Sequence, residues 1–136
     1  MYMEENQLNK DLMLLNEALK ILANSYAPYS GIHVAAALLT DRGNVYLGVN
    51  VENSSYGLTI CAERSAVAAM VAAGERKPIA IAIVTDYNRP IPPCGACRQV
   101  LAEFNHEIRV IMHSIRSGET KIINLKDLFP IPFKID

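Results

Sequence analysis

Residues 61–85 read CAERSAVAAMVAAGERKPIAIAIVT, and this stretch decides the fold class. Its first half, Cys61 to Ala73, is rich in alanine, holds no Pro or Gly and stops at Gly74, so it reads as a helix closed by a glycine. Its second half, Ile79 to Thr85, is a nearly continuous apolar run of strand length, as expected of a central strand covered on both faces. A helix that feeds a buried strand is the unit of a layered α/β protein.

The flanking sequence extends that unit in both directions. Upstream, Val45 to Val51 alternates Val45, Leu47 and Val49 with Tyr46, Gly48 and Asn50, and it returns from a strand at His33–Thr40 through the turn Asp41-Arg42-Gly43-Asn44. Before that hairpin, Leu8, Leu12, Leu15, Leu19 and Leu22 recur at spacings of four and three, with Lys10, Asp11, Glu17 and Lys20 between them. This is the pattern of an amphipathic helix whose leucine stripe belongs to the core or to a subunit contact; Ala27-Pro28-Tyr29-Ser30-Gly31 ends it. Downstream, the proline-rich loop Arg89–Pro93 leads to a helix from about Gly95 to Phe104. Strands at Ile108–His113 and Lys121–Ile123 and a helical turn at Leu125–Phe129 follow. The antiparallel hairpin and the helical crossovers together predict a mixed sheet. With no repeat and no linker long enough to divide the chain, residues 1–136 are expected to form one domain.

Composition narrows the function classes. The 136 residues are 51% hydrophobic and 20% charged, a globular balance, and the net charge of −1 comes from 13 basic and 14 acidic side chains without a Lys/Arg run. Nothing here would track a phosphate backbone, so nucleic acid is not expected as a partner. The acidic opening Met1–Asn6 lacks a charged-then-apolar leader, and no stretch reaches the roughly 18 apolar residues of a membrane span. A cytoplasmic protein is the expectation.

Three cysteines carry the chemistry. Cys94-Gly95-Ala96-Cys97 alone would equally suit a redox pair or half of a structural zinc site. Cys61-Ala62-Glu63 lies 33 residues earlier, and both motifs open predicted helices, where orphan amides and the positive dipole end favour thiolate over thiol. Three thiolates leave a four-coordinate zinc with one open position, as a catalytic site requires. Zinc in such a site brings the pKa of a bound water from about 15.7 to roughly 7. Glu63, two residues from a ligand, is then placed to move protons without ligating. His33, His106 and His113 have no His or Cys at ligand spacing and read as strand or surface residues, and Tyr26, Tyr29 and Tyr46 as packing residues whose hydroxyls seek a partner.

These motifs follow the signature of zinc deaminases, in which Cys or His followed by x-Glu precedes Pro-Cys-x-x-Cys. The sequence resembles the cytidine deaminase family, and within it the short homotetrameric branch. The resemblance runs through Tyr26-Ala27-Pro28-Tyr29-Ser30, Asn50-Val51-Glu52-Asn53, Cys61-Ala62-Glu63-Arg64 and Pro93-Cys94-Gly95-Ala96-Cys97-Arg98-Gln99. It implies a three-layer α/β/α fold around a mixed five-stranded sheet, and one zinc ion per chain held by Cys61, Cys94 and Cys97. It implies hydrolysis of cytidine or deoxycytidine to uridine or deoxyuridine and ammonia by a zinc-activated water, with Glu63 as the proton shuttle, in pyrimidine salvage. Asn50 and Glu52 would bind the ribose, the backbone at Ala62 would read the base edge, and Arg64 would offset the surplus charge of three thiolates on a divalent ion.

Tyr56 and Phe133 match aromatic positions that approach a neighbouring subunit's site in that branch, which implies a homotetramer with shared active sites. The chain departs from the family at Ile32, where a pocket phenylalanine is usual, at Ala35, where glycine is usual, and at Pro92, where serine is common. The first two leave open a deaminase of another amino-heterocycle or nucleoside analogue, of the blasticidin type. A non-enzymatic zinc-binding module is the remaining alternative.

Overall fold

A computed structural model describes residues 2–136; Met1, the first residue of the acidic opening, lies outside them. In chain order the elements are α1 (Tyr2–Ile21), β1 (Val34–Thr40), β2 (Val45–Val49), α2 (Ala62–Ala72), β3 (Pro78–Thr85), α3 (Gly95–Phe104), β4 (Arg109–Ser114), β5 (Thr120–Asn124) and α4 (Leu125–Leu128). The five strands form one sheet in the order β2-β1-β3-β4-β5, so the apolar run that reads as a central strand occupies the centre. β1 is antiparallel to both β2 and β3, β3 is parallel to β4, and β5 returns antiparallel. Both helical crossovers, β2-α2-β3 and β3-α3-β4, therefore join parallel strands, which makes the sheet mixed.

Strand alternation sorts the core into two layers. Ala36 and Leu38 of β1, Ile81 and Ile83 of β3 and Val110 of β4 pack with Ala66 and Met70 of α2 and Leu101 of α3. Their neighbours Ala35, Ala37, Leu39, Ala80, Ala82, Val84 and Ile111 pack with Leu14, Leu15, Ala18 and Leu22 on the α1 side. The result is the three-layer α/β/α arrangement.

Helix α1 departs from its sequence pattern. Leu15 and Leu22 are buried, but Leu8, Leu12 and Leu19 stand outside the core, and Leu14, Ala18 and Asp11 face the sheet in their place. Asp11 is only 3% exposed and accepts from Gln7 at 3.1 Å and from Arg109 at 2.8 Å. A buried carboxylate needs such a partner, and this one comes from β4. Tyr26 and Tyr29 are about half exposed, so of the three tyrosines only Tyr46 packs inside.

Helix α2 ends as its glycine predicts. Gly74 has φ +91°, its N–H donates to Val71 O and the N–H of Glu75 donates to Met70 O, the two bonds of a Schellman cap. The cap delivers Glu75 to the hairpin, where its carboxylate accepts from the Tyr46 hydroxyl and from Asn44 Nδ2. The Tyr46 hydrogen bond first, and Asn44 with it, holds this carboxyl below the usual glutamate range. A carboxyl with a depressed folded pKa stabilises the fold above its unfolded pKa and loses that contribution as pH falls through the folded value. Urea unfolding below pH 5 is therefore expected to be less pH-dependent in Glu75→Gln than in the parent. Equal slopes would disprove the assignment.

Among the described residues, no helix is long and apolar enough to cross a membrane.

Candidate active site

Two helix starts meet at the C-terminal side of the central strands. Cys61 is the N-cap of α2 and Cys94 the N-cap of α3, both in extended backbone conformation, and Cys97 lies in the first turn of α3. Neither N-cap side chain bonds back to its helix, so both sulfurs remain available for another partner. The three Sγ atoms lie within 4.8 Å of one another, and Cys61 Sγ stands 3.8 Å from Cys94 Sγ. A tetrahedral ion with Zn–S bonds of about 2.3 Å separates its sulfurs by about 3.8 Å, so the donor set and the spacing both fit zinc. Among the described residues no histidine or carboxylate joins the cluster.

The electrostatics follow from burial and from the sulfurs themselves. The Cys61 thiol is lowered to about 5, chiefly because the Cys97 thiol donates to its thiolate, with further help from Arg64 and Cys94 against the opposing effect of burial. Cys97 is pushed up, first by that shared hydrogen bond and then by burial. Arg64 Nη2 lies 3.8 Å from Cys61 Sγ and donates to Thr59 O at 3.2 Å. Glu63, in the first turn of α2, is 5% exposed, and burial raises its carboxyl to about 7, with the Cys61 charge adding to the effect.

A cavity of about 220 Å³ opens beside this cluster. Ile32, Asn50, Cys61, Ala62, Glu63 and Cys94 line it, together with Val34, Ile91 and Pro92. Ser30 and Thr59 are shared with an adjoining cavity of about 360 Å³ that adds Glu52, Tyr56, Tyr29 and Asn53. Ala35 faces the α1 layer and takes no part in the wall. Phe133 lines neither cavity; it sits against α3 beside Ala102 and Glu103.

The polar walls are held by loops that sequence spacing does not reveal. Asn50 Oδ1 accepts from Val34 N at 2.9 Å and from the Ser25 hydroxyl, and its Nδ2 donates to Ile32 O at 2.9 Å. Glu52 accepts from Tyr29 N at 2.9 Å, from Ser30 N at 3.1 Å and from the Ser30 hydroxyl. The Ser30 bonds, hydroxyl first, keep the Glu52 carboxyl below its usual range. Tyr56 meets Tyr29 edge to face at 6.2 Å. Ser25, Ser30 and Thr59 are thus site residues that the motifs contained or adjoined without assigning. The histidines serve elsewhere, with His33 on Asp86, His106 on Phe129 O and His113 on Thr120.

Known proteins share this architecture. Residues 8–114 match the family model described as cytidine and deoxycytidylate deaminase zinc-binding region. A cytidine deaminase of Halalkalibacterium halodurans is 45% identical over 122 residues, covering 89% of this chain and 92% of that protein. One from Mycobacterium tuberculosis is 42% identical over 124 residues, covering 91% and 90% respectively. The crystal structure of a cytidine deaminase from Burkholderia pseudomallei superposes with a TM-score of 0.84 at 43% identity, covering 89% of this chain and 97% of that one. The chain belongs to the cytidine and deoxycytidylate deaminase zinc-binding family, and it is a zinc-dependent deaminase with one zinc ion per chain.

Proposed function

We propose that the chain hydrolyses cytidine and deoxycytidine to uridine and deoxyuridine, releasing ammonia, as one catalytic domain that works in cytoplasmic pyrimidine salvage. The observation that carries this reading is the placement of Glu63, buried in the wall of the 220 Å³ cavity beside three convergent sulfurs. Cys61, Cys94 and Cys97 would hold zinc, which when bound would act as a Lewis acid that lowers the pKa of water toward neutrality. The Glu63 carboxylate moves protons from the water that is consumed to the pyrimidine ring and to the departing amine. The Ala62 backbone meets the base edge, Ile32 packs on the base, and Asn50 in the wall of this cavity and Glu52 in the adjoining one take the ribose between them. Arg64 counters the negative charge that three thiolates leave on a divalent ion.

Ultraviolet absorbance of cytidine and deoxycytidine with the zinc-loaded protein tests the reaction. Conversion with equimolar ammonia is expected; unchanged spectra for both nucleosides would sink the proposal. The same assay on other amino-heterocycles tests the broader substrate reading that Ile32 motivates. A branched aliphatic lacks the flat face of an aromatic ring, so Ile32→Phe is expected to lower KM for cytidine about two- to tenfold, the worth of an aromatic stack. A KM that is unchanged or raised contradicts the assigned contact.

We read the assembly as a homotetramer whose subunits share active sites, with Tyr56 and Phe133 reaching a neighbouring copy. Both rings are more than 70% exposed in the single chain, and Phe133 does not line the cavity beside its own three sulfurs. Light scattering is expected to give four chains; a fully active monomer would overturn the assembly.

A further inference from the structure

Three side chains of α3 and the turn after it hold the C-terminal segment by its backbone. Arg98 Nη1 donates to Leu128 O at 3.1 Å while its Nε donates to Pro93 O at 2.8 Å, so one guanidinium joins the loop before Cys94 to the end of α4. His106 Nε2 meets Phe129 O at 2.6 Å. Gln99 makes a two-point contact with Phe133: Nε2 donates to Phe133 O at 2.9 Å, and Oε1 accepts from Phe133 N at 3.3 Å.

A carboxamide that gives to and takes from one residue does what a facing residue does across an antiparallel ladder. It fixes where residue 133 sits and makes no demand on the side chain. Apolar packing does not fix it, because Ile131, Phe133 and Ile135 are all exposed to more than 70%. The backbone of the segment is tied down and its apolar side chains are free. Gln99 lies two residues beyond Cys97 on α3, so the helix that carries two of the three sulfurs also fixes the stretch of backbone that bears the exposed ring.

We infer that Gln99 is a positioning residue for nucleoside binding: by pairing with the backbone of Phe133 it sets the ring where a neighbouring copy's cavity receives it. The inference rests on the reading that Phe133 completes the pocket of a second copy. Gln99 itself touches neither nucleoside nor zinc, so its loss weakens binding and leaves the chemical step alone.

The test is a double-mutant cycle on the zinc-loaded protein, with KM and kcat for cytidine, zinc per chain, mass in solution and amide exchange at Phe133 as readouts. Gln99→Ala is expected to raise KM about fivefold with kcat, zinc content and mass unchanged, the pattern of lost binding without lost transition-state chemistry. Amide exchange at Phe133 speeds up in the same variant. Phe133→Ala raises KM at least as much, and adding Gln99→Ala to it changes nothing further, since residues acting through one contact are not additive. Gln99→Glu keeps the acceptor for Phe133 N–H and loses the donor to Phe133 O, so it falls between the parent and the alanine variant. If Phe133→Ala raises KM while Gln99→Ala binds like the parent, or if the two effects simply add, the inference is overturned and the shared pocket stands. If Phe133→Ala itself binds like the parent, the shared pocket fails and the inference falls with it.

Discussion

Glu63→Gln is expected to lower kcat by about 10²- to 10⁴-fold, the usual worth of a positioned general acid and base. The substitution keeps the shape of the side chain and removes its ability to take up and return a proton. Glu63 is almost fully enclosed in the wall of the cavity, so no solvent group stands ready to replace it. It is also outside the group of three sulfurs, so the variant should still bind one zinc per chain. Measuring kcat alongside zinc content separates the two roles. A variant within tenfold of the parent would remove Glu63 from the mechanism; a variant that loses zinc would make it a structural support of the metal site.

The second large effect lies in the fold and reaches the site from behind. Strand β2 and helix α2 touch at Gly48, where an added Cβ would lie 2.3 Å from Ala62 O, 2.6 Å from Ala66 N and 2.8 Å from Ser65 Cβ. The two nearest atoms are backbone and cannot rotate away, so the helix itself must move. Gly48→Ala is expected to cost about 3 kcal/mol, the upper end of overpacking penalties. For a chain of this size that lowers Tm by roughly 10 °C. The helix carries Cys61 at its cap and Glu63 in its first turn, and a shift of about 1 Å in such a constellation costs about 10²-fold in rate. Calorimetry and kcat should fall together. A normal Tm with normal kcat would show that the contact is looser than described.

The same glycine shows where sequence reasoning stopped. Gly74 was legible because its task is local: it ends an alanine-rich helix within four residues. The convergence of the three sulfurs, and the place of Glu63 beside them, were legible because zinc ligation dictates spacing around two helix starts. Gly48 looked like an ordinary member of an alternating strand, since its reason is a helix that approaches from another part of the chain. Asp11 misled for the same cause. Set between leucines it reads as a solvated position, yet its partner Arg109 is 98 residues away. Ser25 and Ser30 were hidden as well, because a hydroxyl has no fixed meaning until Asn50 and Glu52 arrive beside it.

Asn50 invites a count of what it has left to say. A carboxamide commands two lone pairs and two N–H groups. Val34 and Ser25 occupy its oxygen and Ile32 takes one hydrogen, so a single N–H remains to speak outward. Glu52, an ionised carboxylate, can only listen. On the proposed ribose contact Asn50 asks for an acceptor and Glu52 for a donor. A hydroxyl answers both; a fluorine or a methoxy at the same carbon answers at most one. The scaffold has spent most of the amide's vocabulary on its own loops, and the grammar of the sugar site is what it left unspent.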